Sequence, residues 1–284
     1  MSITDRFHKP HHDGSTLSHG RGVLSGAVRL AGAWRQVASA LAGLLVLGIV
    51  WELWVRLADL PVYIAPSPAQ VLEQFTSDPG FFLRHGLITL GEAMAGFCIG
   101  TGAGFGIAVA MAHSRFLERS LLPVALLIKV TPVVAIAPLL VIWLGFGAAP
   151  RVLIAALITF FPAMVNGVTG LRSVRPEALD FVRSINASGR FIFFKLRLPS
   201  SLPYMFAAFR VSVPLSVIGA VVGEWFSASS GLGGVIIVAH SNLDMPTLFA
   251  AVFTLAALGI GLTASVTFAE RRLLFWHESA SAGP

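Results

Sequence analysis

Cysteine, lysine and charge are all scarce in this chain. Its single cysteine, Cys98, lies in an apolar stretch, which excludes an intrachain disulfide or a cysteine metal cluster and fits a small buried core residue. The three lysines are Lys9, Lys129 and Lys195, and none follows a glycine. The Gly-Lys-Ser/Thr core of a phosphate-binding loop is therefore missing, and the run Gly231-Leu232-Gly233-Gly234 reads as a turn. No His, Asp, Glu or Ser residues cluster at catalytic or metal-ligating spacing, which argues against an enzyme and predicts neither cofactor nor metal. His8, His11, His12 and His19 fall where no apolar periodicity would fix them and read as part of a loose tail.

What remains is apolar. Hydrophobic residues make up 55% of the chain, charged residues 12%, and the mean hydropathy is +0.79. Soluble proteins carry about 25% charged residues, so the chain is expected to be an all-α polytopic membrane protein held in a lipid bilayer. A formal net charge of +6 does not indicate nucleic acid, because the basic residues flank apolar spans and do not interleave with aromatics.

A bilayer crossing needs about 20 residues. Candidate spans run from about Val37 to Leu57, Leu87 to Ala112, Leu121 to Phe146, Val152 to Leu171, Pro203 to Phe226 and Thr247 to Glu270. They divide the chain into a disordered cytoplasmic tail (1–36), a transmembrane domain (37–272) and a short C-terminal tail (273–284), and no signal peptide is visible. Between the first two spans, a short helix is expected from Pro68 to about Phe75, and another from Val235 to His240 before the last. Gly96, Gly100 and Gly104 recur every four residues in the second span, with Gly102 and Gly106 beside them. Such spacing allows close helix approach, within one subunit or across a dimer. The third span is interrupted by Pro123, Pro132 and Pro138, a pattern tolerated where freed carbonyls meet neighbouring helices or a wet cavity, and it is a candidate wall of a pathway. Lys129, Thr131 and Pro132 in that span, and Glu224 near the end of the fifth, are the pathway candidates. Lys129 is expected to snorkel or to face a polar interior. Glu224 lines the mouth of the pathway, meets a partner protein there, or caps and hydrates at the interface.

Basic residues set the orientation. Arg6, Lys9, Arg21, Arg29, Arg35, Arg115, Arg119, the Arg and Lys residues of 172–197, Arg271 and Arg272 share one side, against Arg56, Arg84 and Arg151 on the other. Both termini are therefore expected in the cytoplasm, which six spans permit.

The longest polar passage inside the apolar text is Leu171 to Tyr204. Pro176 suits a first helical turn, Leu179, Val182 and Ile185 fall on one face, and Asn186 suits a left-handed stop. Ser188 can cap a second short helix in which Phe191, Phe194 and Leu198 recur at helical spacing and which Pro199 ends.

At these residues the chain resembles the membrane-spanning permease subunits of bacterial ABC importers. Their signature loop reads E-A-A, three residues, G, nine residues, I-x-L-P. Aligned on Leu198-Pro199, it places the E-A-A on Asp180-Phe181-Val182, the G on Asn186 and the I on Leu196. Spacing, acidic residue and Leu-Pro ending are kept, whereas the Gly and both Ala are replaced. The resemblance extends through Pro66-Ser67-Pro68, Thr131-Pro132, Ala137-Pro138-Leu139-Leu140, Trp143-Leu144-Gly145-Phe146-Gly147 and Ser229-Ser230-Gly231-Leu232-Gly233, which look like the branch handling nitrate, sulfonate, taurine and thiamine-precursor pyrimidines. It implies a coupling surface at Glu177, Leu179, Asp180, Val182, Arg183, Ile185, Asn186, Ala187, Ser188, Gly189 and Pro199. It also implies two ATP-binding subunits, a periplasmic substrate-binding protein, a second permease copy as a homodimer, and a place in the bacterial inner membrane. The stretch Val217 to Trp225 looks most like members handling thiamine-precursor pyrimidines, with sulfonate, taurine or nitrate as the other reading. The competing class is an ion-gradient-driven secondary transporter. Such folds usually carry intramembrane acidic relays or paired broken repeats, and here only Glu92 and Glu224 lie near span ends and no clear repeat is visible.

Overall fold

The computed structural model describes residues 20–227 and 230–274. Every regular element among them is helical: α1 (Gly20–Leu57), α2 (Pro68–Ser77), α3 (Pro79–His113), α4 (Arg115–Val130), α5 (Val133–Leu144), α6 (Ala148–Arg172), α7 (Pro176–Ser184), α8 (Gly189–Ile192), α9 (Leu198–Ser227), α10 (Leu232–Ser241) and α11 (Met245–Leu273). The chain divides into two units, Met1–Asp59 and Leu60–Pro284. In the first, α1 begins at Gly20, upstream of the expected start at Val37, and its stretch Ala38–Leu57 is apolar enough to cross a bilayer. The tail expected over 1–36 lies outside the described residues through His19, as does the C-terminal tail beyond Leu274.

The second unit is built around α6, which glycines bring into backbone contact with α3 on one side and α9 on the other. A Cβ on Gly96 would stand 2.8 Å from the Val152 carbonyl oxygen, and one on Gly104 would stand 2.5 Å from that of Phe160. On the other side, Gly219 meets Ala155 and Gly223 meets Arg151, each with room for no side chain. The four-residue glycine spacing of α3 therefore serves packing within the subunit. Gly102 and Gly106 have nothing within 4 Å of a Cβ.

These contacts also fix direction. Partners on α3 and α6 rise in number together, so the two helices run parallel, while α9 runs antiparallel to α6. The chain between α3 and α6 must then return across the bundle, and α4 with α5 is that return. Five stretches are long and apolar enough to be single spans, and the α4/α5 pair, bent by 96°, counts as a sixth if it is one broken span and not a re-entrant loop. Where one kinked span is expected from Leu121 to Phe146, the helix breaks at Thr131-Pro132. Thr131 is extended (φ −73°, ψ 125°), because a residue preceding proline is pushed out of the helical region and the proline has no N–H to donate. Pro123 and Pro138 stay inside their helices.

Two further boundaries differ from expectation. Pro199 does not end the second loop helix, nor does Pro203 open the fifth span: helix is continuous over Gly189–Ser227. A π-turn at Phe193–Arg197, with Leu198 N–H donating to the Phe193 carbonyl, widens the helix just before the proline and absorbs the missing donor without a break. Cys98 is exposed on α3, not packed in the core, since α6 occupies the opposite, glycine-lined face. Helices begin as their sequence dictates: Ser67 and Gln70 form a capping box on α2, and Asp78, Ser114 and Asp244 cap α3, α4 and α11.

Candidate functional site

One end of the bundle carries the α6–α9 connection. Pro176 opens α7, Glu177 sits in its first turn and Arg183 in its last, matching the helix dipole. Asn186 stops it with φ 54°. The Asn186 N–H donates to the Arg183 carbonyl and the Ala187 N–H to that of Val182, both at 3.0 Å, the paired bonds of a Schellman stop. Ser188 Oγ then accepts from the Phe191 N–H and starts α8.

The face predicted from Leu179, Val182 and Ile185 divides. Val182 is buried and Leu179 half-buried, but Ile185, already within the stop, is 60% exposed. Phe181, which replaces a signature alanine, is 66% exposed. With Phe191 and Phe194, these two residues form an apolar set on the open surface. Phe181 is the member that the predicted face left out, although its spacing of four from Ile185 was there to read. Glu177, Asp180, Arg183, Asn186, Ser188 and Gly189 are exposed, with Asp180 and Arg183 3.6 Å apart, and Ala187 is half-buried. Pro199 lines an open cleft of about 470 Å³ with Arg175, Lys195 and Tyr204.

Lys129, Thr131 and Pro132 meet at the α4/α5 break, and all three are exposed. The Lys129 ammonium stands 4.8 Å from the ring centroid of Phe161, about halfway along α6, which puts the break near mid-span. Thr131 Oγ1 donates to the Leu127 carbonyl at 2.7 Å, closing the end of α4. No carboxylate pairs with Lys129 among the described residues.

At the far end from α7, polar groups are buried together. Arg151 is 4% exposed; its Nη1 donates to Glu92 Oε1 at 2.7 Å, its Nε to Ser227 Oγ at 2.9 Å and its Nη2 to the Ser227 carbonyl at 2.8 Å. Counted in sequence as a loop charge, Arg151 instead ties three helices together. Glu224 is 1% exposed and accepts from Thr89 Oγ1 at 2.7 Å and from the Gly233 N–H at 2.6 Å. It thus caps the first turn of α10 from a buried position. Thr89 Oγ1 accepts from the Leu232 N–H, and His85 Nδ1 from the Gly231 N–H. Gly231, at φ 91°, lies where any Cβ would collide with the Glu224 carboxylate. Arg151, Thr89 and His85 escaped the sequence reading because their partners lie 59 to 146 residues away.

Comparison with known proteins agrees with this architecture. A family described as binding-protein-dependent transport system inner membrane component matches residues 102–275. The riboflavin transport system permease protein RibX of Chloroflexus aurantiacus is 35% identical over 83% of this chain and 89% of its own. The formylaminopyrimidine transport permease protein ThiX of Halalkalibacterium halodurans is 34% identical over 82% and 94%. A putative aliphatic sulfonates transport permease protein, SsuC of Bacillus subtilis, is 29% identical over 84% and 88%. Among solved structures, an inward-facing MetNI methionine ABC transporter superposes with a TM-score of 0.54 at 15% identity, over 66% of this chain and 96% of that one, a likeness of fold.

Proposed function

Because the chain belongs to the family of binding-protein-dependent transport system inner membrane components, we propose that it is the permease through which ATP-binding subunits, gripping α7 and α8, drive import of a nitrogen-heterocyclic nutrient. The observation that carries this reading is the pairing of an open apolar set, Phe181, Ile185, Phe191 and Phe194, with an unbroken helix over Gly189–Ser227. A partner seated on α7 and α8 pushes on a rod that reaches Glu224 at the other end. Phe191 and Phe194 lie on that rod, so motion there becomes motion of the bundle, while Phe181 and Ile185 reach it through the turn at Asn186-Ala187-Ser188.

Glu177, Leu179, Asp180, Val182, Arg183, Ile185, Asn186, Ala187, Ser188, Gly189 and Pro199 form the coupling surface in this proposal. Lys129, Thr131 and Pro132 line the pathway, where a second copy of the chain supplies the facing wall. Glu224 acts from within the buried cluster. The α7 end and both termini face the cytoplasm, and a periplasmic binding protein delivers solute at the α10 end. Relatives named for riboflavin and for formylaminopyrimidine, at 35% and 34% identity, support a pyrimidine-like ring over a sulfonate, for which the named relatives stand at 29% and 30%.

The test is uptake by proteoliposomes holding the permease with its co-expressed ATP-binding subunits and binding protein. Labelled formylaminopyrimidine should accumulate only with ATP on the α7 side, and collapse of ion gradients should leave uptake intact. Accumulation of an alkanesulfonate instead would move the substrate to the other class, and uptake abolished by an ionophore would reject ATP coupling.

A further inference from the structure

The two legs of the α6–α9 connection share an anchor on α3. Arg172, the last residue of α6, and Arg197, the last of the π-turn that leads into α9, bracket α7 and α8, and both reach the end of α3. A helix leaves its last four carbonyls without intrahelical donors. Here the Ala110 carbonyl accepts from the Ser114 N–H, whereas those of Met111 and Ala112 accept from Arg172 Nη2 at 3.0 Å and from Arg197 Nη1 at 3.4 Å. Cations at the carbonyl end also suit the helix dipole. Arg172 does more than cap, because its Nη1 donates to Glu118 Oε1 of α4 at 2.7 Å, so that one guanidinium spans α3, α4 and α6. Beside it, Met111, Ala125 of α4 and Met164 of α6 form one buried cluster against which Phe161 packs. Glu118 lies in the first turn of α4 and Lys129 in its last, where the Lys129 ammonium meets the Phe161 ring. The helix thus has the Arg172 contact at one end and the break at Thr131-Pro132 at the other.

We infer that Arg172 is a positioning residue for transport, carrying movement of the coupling surface to the pathway through Glu118 and α4, a route separate from the α9 rod. The inference rests on the reading above, that ATP-binding subunits grip α7 and α8. When a partner shifts α7, the end of α6 follows, and Arg172 draws the first turn of α4 with it. The far end of α4 then turns at Thr131-Pro132, where the helix is already broken and Lys129 is exposed. Neither Arg172 nor Glu118 belongs to the surface assigned to docking. Cutting their contact should therefore spare the grip of the ATP-binding subunits and weaken only what that grip accomplishes.

The test reads ATP hydrolysis and solute uptake together, in proteoliposomes holding the permease with its ATP-binding subunits and binding protein. Labelled formylaminopyrimidine is the probe, or an alkanesulfonate where the wild type accumulates that instead. Glu118→Gln keeps the side-chain size and leaves the bond from Arg172 to the Met111 carbonyl. Its ATP-binding subunits should co-purify in full and its thermal midpoint should match wild type, while ATP hydrolysed per solute imported rises about threefold, the scale of a half-exposed ion pair. Arg172→Gln also gives up the charged bond to a carbonyl, and the ratio should rise about tenfold. Since both residues act through one contact, the double variant should be no worse than Arg172→Gln alone. An unchanged ratio in Glu118→Gln, or midpoints that fall while the ratio holds, would make the pair structural and overturn the assignment; if Arg172→Gln does not assemble, Glu118→Gln decides. Uptake by the wild type without ATP would instead overturn the parent reading, and that result is seen before any variant is made.

Discussion

Gly100 of α3 lies against Ala156 of α6 so closely that a methyl group on Gly100 would stand 2.9 Å from the Ala156 carbonyl carbon. Thr159 Oγ1 also obstructs it and could turn aside, but the Ala156 carbonyl is backbone and cannot, so Gly100→Ala must push α3 and α6 apart. Overpacking of this kind costs about 1–3 kcal/mol. Gly102, two residues on, has nothing within 4 Å of a Cβ, and Gly102→Ala should be neutral or slightly stabilising. Thermal midpoints by fluorescence-detected gel filtration check the pair. Equal midpoints for the two variants would show that α3 and α6 are not packed through this seam.

The buried cluster predicts a graded series at Arg151. Its guanidinium reaches Glu92, Ser227 Oγ and the Ser227 carbonyl at once, a fork that lysine cannot reproduce. Removing one partner of a buried pair costs about 3–5 kcal/mol, because the other is left uncompensated. Arg151→Leu should lower assembled yield and thermal midpoint most, Arg151→Lys by less, and Arg151→Leu combined with Glu92→Leu should recover part of the loss. A double variant no better than Arg151→Leu alone would mean that the ion pair is not what the arginine contributes.

These two regions differ in how far the sequence disclosed them. Span number, the stop at Asn186, the cap at Ser188, the helix start at Pro68 and the glycine seam follow from local rules, since each depends on residues within one or two helical turns. The 96° break at Thr131-Pro132 was legible as an interruption but not as a corner, because the angle depends on what α5 packs against: Ala137 and Leu140 of α5 join Ile154 and Val222. Continuity through Pro199 and Pro203 was not legible either. It rests on the π-turn at Phe193–Arg197, and sequence rules read proline there as a stop. The cluster of Glu92, Arg151 and Glu224 was invisible, since charges near span ends read as interface residues until the fold brings α3, α6 and α9 together.

Lys129 tests the pathway. Its ammonium has a ring face as partner, at 4.8 Å from the Phe161 centroid, and such a contact contributes about 0.5–1 kcal/mol when exposed. Lys129→Met should leave assembly intact. For a neutral pyrimidine, half-saturating concentration and rate should change less than about threefold, well within the tenfold that 1.4 kcal/mol represents. A loss of uptake well beyond that, rescued by Lys129→Arg, would point to an anionic solute.

The coupling surface yields the sharpest contrast. Phe181 is 66% exposed and its ring lies off the packed face of α7, so Phe181→Asp removes apolar surface without opening a cavity in the subunit. Ala187 is half-buried behind the Schellman stop, and Ala187→Asp sets a charge in the turn where a docked partner should exclude water. Desolvating an unpaired charge at an interface costs several kcal/mol, enough to weaken association by orders of magnitude. Asn186→Gly keeps the left-handed turn, φ 54° in this chain, with the residue best suited to it. Both aspartate variants should therefore insert and pair normally yet lose the ATP-binding subunit on co-purification, and uptake with it, while Asn186→Gly keeps both. Full retention of the ATP-binding subunit by Phe181→Asp and Ala187→Asp at equal expression would place docking elsewhere on the α7 end, with the cleft beside Arg175, Lys195 and Tyr204 the next surface to alter.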